Sequence, residues 1–279
     1  MAQSNFPALT LADWQPTRDT LQTYSKVLGK IRRALTPPQK HWWHISLRVL
    51  PAGLTTTAIP ISDADDDATF EMVLDLQQAQ ALITTSRGES WQTALNGQSA
   101  QEFCDTILAA LAKLGIAVEI DRSLFADETP LSLDPAAAKN YCQALVAVDR
   151  VLKQFKAELP GETSPVQLWP HHFDLAVVWL SGRKVPGVDP ADEEWADEQM
   201  NFGFSTGDEG MPNPYFYATA YPWPADIIAA ALPAGATWHT QSWKGGLLMY
   251  ESLVEVEEPE RKLLAFLRAV QQAGSALMK

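Results

Sequence analysis

WPHHFDLAVVWLSGRKVPG, residues 169–187, sets two adjacent histidines ahead of an apolar run with the length and the β-branched and aromatic make-up of a buried strand. Side chains alternate along a strand. Phe173, Leu175, Val177 and Trp179 are therefore expected on one face, His172, Asp174 and Ala176 on the other, and Ser181-Gly182 reads as the turn that follows. An earlier stretch, HWWHISL (41–47), aligns without gaps on WPHHFDL (169–175) at an offset of 128, placing His44 on His172, Ile45 on Phe173, Ser46 on Asp174 and Leu47 on Leu175. This match makes the chain read as one arrangement used twice.

Working outward, each copy sits in the same order of elements. Leu21, Tyr24, Leu28, Ile31 and Leu35 have the three-and-four spacing of an amphipathic helix over 17–35, which Pro37-Pro38 ends. Residues 41–61 alternate and are rich in β-formers, with Pro51-Ala52-Gly53 as a turn. A hairpin is expected over 70–87. Ser99 and Glu102 have capping-box spacing ahead of a helix carrying Phe103, Ile107, Leu111 and Leu114, with Gly115 as its stop. The second copy opens with Asp134-Pro135 and a helix carrying Tyr141, Leu145, Val148, Leu152 and Phe155. Strands at 169–184, 200–208, 214–221 and 242–254 follow, and then a closing helix with Leu263, Leu264, Leu267 and Val270. The expectation is an α+β fold of two related halves from an internal duplication, each an antiparallel sheet with flanking helices. The divisions are an N-terminal half over 1–120, a linker over 121–133 and a C-terminal half over 134–279, tightly packed on the first.

Composition bounds the function. The chain has 279 residues, 46% hydrophobic and 20% charged, with 21 Lys plus Arg against 34 Asp plus Glu and a net charge of −13. Such an excess of negative charge repels a phosphate backbone, so general nucleic-acid binding is excluded as an expectation. The acid is concentrated in two runs, Asp63–Asp67 and Asp189–Glu198, which read as solvated loops. Cys104 and Cys142 sit in helical patterns outside any metal-ligand spacing and read as buried thiols. No stretch has the apolar length of a membrane span and the N-terminus has no signal-peptide pattern, so the expected location is the cytoplasm.

Three functional readings stay open. The first is a module that binds a small polar ligand in a cleft between the two halves. His44, His172 and Asp174 belong to this candidate set through the matched strands. Asn201, Ser205, Asp208 and Tyr215 belong to it because they lie among Gly203, Gly207 and Gly210, where backbone can approach a ligand. The second is a hydrolase, acid/base or assisted by a divalent metal held by His44, His172 and Asp174. In the third, tryptophans such as Trp195 and Trp223 dock a protein partner. No HExxH, GxSxG or phosphate-loop pattern is present to favour the second.

HWWHISL, WPHHFDLAVVW, SGRKVPG and DEQMNFGFSTGD with PYFYATAYP together resemble a bacterial family, domain of unknown function 5996, over nearly the whole chain. The resemblance implies a cytoplasmic bacterial protein. It brings no catalytic residues, substrate or cofactor, so the candidate residues rest on the physical reading alone.

Overall fold

The computed structural model describes residues 6–61, 67–208, 210–254 and 256–278. The acidic run that begins at Asp63 lies, apart from Asp67, outside the described residues. The chain divides into two compact units. The first comprises Ala12–Cys142 and Leu168–Phe173, and the second Met1–Leu11, Gln143–Gln167 and Asp174–Lys279.

The first unit holds α1 (Leu11–Leu35), α2 (Ala100–Lys113) and the strands β1 (Arg48–Leu50), β2 (Gly53–Thr55), β3 (Ile59–Pro60), β4 (Thr69–Asp75), β5 (Gln80–Thr85) and β6 (Ser90–Ala94). The strands form an antiparallel sheet in the order β1-β2-β4-β5-β6, with β3 beside β4. Along β4 alternate residues are buried, and Phe70, Met72 and Leu74 supply the core face. The apolar stripe of α1 places Tyr24 on Phe103 of α2 with ring centroids 3.9 Å apart, and the Tyr24 hydroxyl donates to the Gln98 carbonyl. Ser99 caps α2 as its spacing predicts, its hydroxyl accepting from the Glu102 N–H at 3.1 Å.

The second unit is built on β7 (Glu162–Thr163), β9 (Asp174–Lys184), β10 (Asp197–Ser205), β11 (Tyr215–Tyr221), β12 (Ala236–His239) and β13 (Gly245–Met249), antiparallel in the order β12-β13-β11-β10-β9-β7. In the chain β7 is followed by β8 (Gln167–Trp169), whose Leu168 forms an antiparallel bridge with Leu47 inside the first unit. Helix α3 (Pro135–Glu158) contributes to both units, and α4 (Pro259–Leu277) closes the chain. One face of the second sheet is apolar: Phe202 meets Phe155 of α3 edge to face at 4.8 Å, and Gly246 leaves room for Phe266 and Val270 of α4. The chain is thus α+β, with two antiparallel sheets and flanking helices.

Several local readings change. Helix α1 begins six residues before its expected start and runs through Pro16, which forfeits one backbone bond without ending the helix. β6 is a strand that the sequence reading leaves out. Ser181-Gly182 is not a turn. β9 continues through it, with Gly182 at φ 86° and a register shift against β10 that absorbs the extra residues as a bulge. HWWHI is a 3-10 turn, Lys40–Ile45, instead of the start of a strand, because His41 and Trp42 both take left-handed φ values of 52° and 58°. β9 begins at Asp174, after Phe173 turns the backbone at φ 59° and its N–H closes onto the Trp169 carbonyl at 2.7 Å. His172 therefore sits in a turn and shares no strand face with Asp174.

Candidate functional site

The polar face of the second sheet follows from strand register. Gly203 pairs with Tyr217 and with Ala176, Asn201 with Thr219, and Ser205 with Tyr215, so these side chains project to one side while Phe202, Phe204 and Phe216 project to the other. Asp174 opens β9 at the same end of this face. Gly203 is required here. A Cβ at this position would lie 2.3 Å from Cζ of Tyr217, so the bare backbone lets the tyrosine ring lie across β10 and bring its hydroxyl to Asp174.

The polar groups form two tyrosine–carboxylate pairs. The Tyr217 hydroxyl donates to Oδ2 of Asp174, with the Asn201 side chain on the same face. Likewise the Tyr215 hydroxyl donates to Oδ2 of Asp208 at 3.1 Å, with Ser205 paired opposite Tyr215 in the register of β10 and β11. The N–H groups of Gly210 and Met211 both reach Oδ1 of Asp208 at 2.8 Å, fixing the loop that carries it. Asp174, Ser205 and Tyr215 are only 8%, 7% and 6% exposed. Burial, and then the neighbouring carboxylates, push both tyrosines up: Tyr215 to about 12, and Tyr217 well above the ordinary phenol range. Both hydroxyls thus stay protonated across physiological pH and act as donors, and their carboxylate partners act as acceptors.

An aromatic wall flanks this network. Trp243 stacks on Tyr215 at 6.0 Å and 15° and lies 4.5 Å from the His239 ring, which is itself held by Ser242 at 3.3 Å. Gly245 gives the indole its place, since a Cβ there would meet the Trp243 ring at 2.8 Å. Asn201 Oδ1 is buried with no hydrogen-bond partner among the described residues. An unfilled acceptor beside a network of this kind calls for an explanation, and a ligand donor is one.

The histidines fall elsewhere. His44 and His172 both belong to the first unit, where the Leu47–Leu168 bridge ties their segments together, but their environments differ. His44 is buried, and its Nδ1 accepts from the Gln39 N–H at 3.2 Å, which fixes the proton on Nε2. His172 is exposed, beside the ring of His171 at 4.4 Å. Among the described residues no group of three or more His, Cys, Asp or Glu side chains is arranged to hold a metal ion, and no helix is long and apolar enough to cross a membrane. Trp195 packs edge-on against Tyr221 at 4.8 Å and Trp223 against Trp238 at 6.3 Å, so each of these tryptophans already has an aromatic neighbour.

A family model described as a family of unknown function, DUF5996, matches residues 6–279. The chain belongs to this family. No curated protein and no solved structure matches it. For this DUF5996 chain the site geometry must therefore stand on its own residues. Five of the seven ligand residues named from sequence, Asp174, Asn201, Ser205, Asp208 and Tyr215, lie on or beside one sheet face. Tyr217, Gly203 and Trp243 were not among them. Their signal is a glycine inside a strand pattern two residues from Asn201 and from Ser205, opposite a strand of alternating tyrosines.

Proposed function

We propose that the polar face of the second sheet binds a small, donor-rich polar ligand. The observation that carries this reading is the direction of the hydrogen bonds. The hydroxyl protons of Tyr217 and Tyr215 are spent on Asp174 and Asp208, and Asn201 Oδ1 remains a buried acceptor with no partner among the described residues. A ligand with amine, amide or hydroxyl protons complements that acceptor, and one with a flat apolar face can also lie against Trp243. A carboxylate buried at the start of β9 is also a costly arrangement for stability alone. Support for binding rather than catalysis comes from the tyrosines, whose raised pKa removes them as bases at neutral pH.

A thermal-shift screen of amines, amino acids, amides and monosaccharides tests this. At least one class is expected to raise the melting temperature. The shift should disappear in Asp174→Asn and in Tyr217→Phe while both variants keep the wild-type circular dichroism spectrum. A ligand-induced shift left unchanged in both variants, or no shift from any of the four classes, would overturn the reading.

A further inference from the structure

The first unit carries a second, oppositely charged feature. In a chain of net charge −13, residues 20–62 contain no Asp or Glu at all, yet they hold Lys26, Lys30, Arg32, Arg33, Lys40 and Arg48. On α1 the three-and-four spacing places Gln22, Lys26, Lys30 and Arg33 along one stripe. The WPHH turn is seated on that stripe. Gln22 Nε2 donates to the His171 carbonyl at 2.9 Å, and Gly29 lets Pro170 come so close that a Cβ would meet its Cγ at 2.7 Å. Trp169 packs edge-on against His171 at 5.9 Å, and the rings of His171 and His172 follow at 4.4 Å. At the helix end the Arg33 guanidinium lies 4.9 Å from the Trp42 ring centre.

These cations crowd one another without acid to balance them. Among the described residues no carboxylate forms an ion pair with Lys26, Lys30 or Arg33. The acid that does feel Lys30 is Asp121, a fully exposed side chain already engaged with the N–H and hydroxyl of Ser123 at 3.0 and 2.6 Å. His171 registers the crowding: partial desolvation, then the charges of His172, Lys26 and Lys30, push its imidazole well below the usual histidine range. Lys26 and Lys30, four apart, repel along the helix face.

We propose that Lys26 and Lys30 with the His171-His172 turn form a binding site for a phosphate-type dianion, either inorganic phosphate or the phosphate of a small phosphomonoester. Two lysines act as point charges and the imidazole N–H groups supply directed donors, a set that a tetrahedral dianion can take. A compact anion suits the chain better than a polyanion, because the remaining net negative charge repels an extended phosphate backbone.

Isothermal titration of the full-length protein with inorganic phosphate, AMP and a single-stranded oligonucleotide, each against a chloride control at matched ionic strength, tests the site. Inorganic phosphate or AMP is expected to bind. Tighter binding of AMP would identify a phosphomonoester whose base or sugar adds contacts, and equal binding would identify the phosphate group alone as the determinant. Lys26→Gln with Lys30→Gln should weaken binding by at least about tenfold. Lys26→Arg should retain it, as should Lys113→Gln, which removes an exposed lysine of α2. Undiminished affinity in the double variant, no binding of either phosphate ligand, or binding of the oligonucleotide alone would overturn the proposal.

Discussion

The polar face of the second sheet and the basic stripe of α1 solve opposite problems. On the sheet face, Asp174 is buried while Asp208 stands at the exposed loop, and each has a tyrosine donor: Tyr217 serves Asp174 and Tyr215 serves Asp208. On α1, positive charge is half-exposed and solvated, and no carboxylate among the described residues pairs with Lys26, Lys30 or Arg33. A buried network has to be satisfied to exist, whereas an exposed cluster can stay unbalanced at small cost because water screens it. Substitutions on the sheet face should therefore cost stability, and substitutions on the stripe should not.

Gly203→Ala is the largest test of that difference. The new Cβ cannot coexist with the Tyr217 ring, so the ring must swing away and its hydroxyl must leave the Asp174 carboxylate. Overpacking together with a lost hydrogen bond to a charged group predicts a loss of about 3 kcal/mol in denaturant unfolding. In the double variant Gly203→Ala with Tyr217→Phe the hydrogen-bond part is already gone, so the two losses should fall short of additivity. Strict additivity would mean that the glycine and the hydroxyl act independently.

A smaller effect comes from alkaline pH. Tyr215 titrates near the ordinary phenol value of 10.0 when unfolded and at about 12 when folded. Below pH 10 both states hold the proton and stability does not depend on it. Between 10 and 12 the unfolded state releases the proton and the folded state keeps it, so stability falls as pH rises, by about 1.4 kcal/mol per pH unit for this one group. Tyr24, Tyr217 and Tyr250 are raised as well and steepen the fall. The measurable quantity is the difference between wild type and Tyr215→Phe, whose unfolding free energies should converge as pH rises from 10 to 12. Parallel curves would show that Tyr215 is not desolvated.

How much of this was legible in the chain depends on whether the signal was local. The cap at Ser99, the stripe Leu21–Tyr24–Leu28–Ile31 and the opening of α3 at Asp134-Pro135 are written in neighbouring residues, and helices form over them, α1 reaching six residues further upstream than its stripe indicates. The gapless match of HWWHISL to WPHHFDL was legible too, but it did not fix the backbone: left-handed residues fall at His41 and Trp42 in one segment and at Phe173 in the other, so His44 turns inward and His172 outward. The polar set around Asn201, Ser205, Asp208 and Tyr215 was legible from its glycines. The closure of Tyr217 on Asp174 was not, since it depends on the register of β10 against both of its neighbours, a pairing between residues 43 apart that no local pattern encodes. The α1 stripe was visible only as helical spacing, because its meaning depends on which turn packs against it.

The smallest effect has the opposite sign. Lys30 lies four residues after Lys26 and three before Arg33 on one face of α1, and like charges at these spacings destabilise a helix by a few tenths of a kcal/mol each. Lys30→Gln removes both repulsions and keeps a long, helix-compatible side chain, so it should stabilise the protein by roughly 0.3–0.8 kcal/mol at low ionic strength. The gain should shrink with added salt as the charges are screened. It should reverse in saturating phosphate, where the wild type gains binding energy that the variant has lost. A lysine kept at a position where glutamine is more stable marks a charge held for something outside the chain. If Lys30→Gln instead destabilised the protein at every salt concentration, the lysine would be serving the fold, and the contrast between the two surfaces would be one of exposure alone.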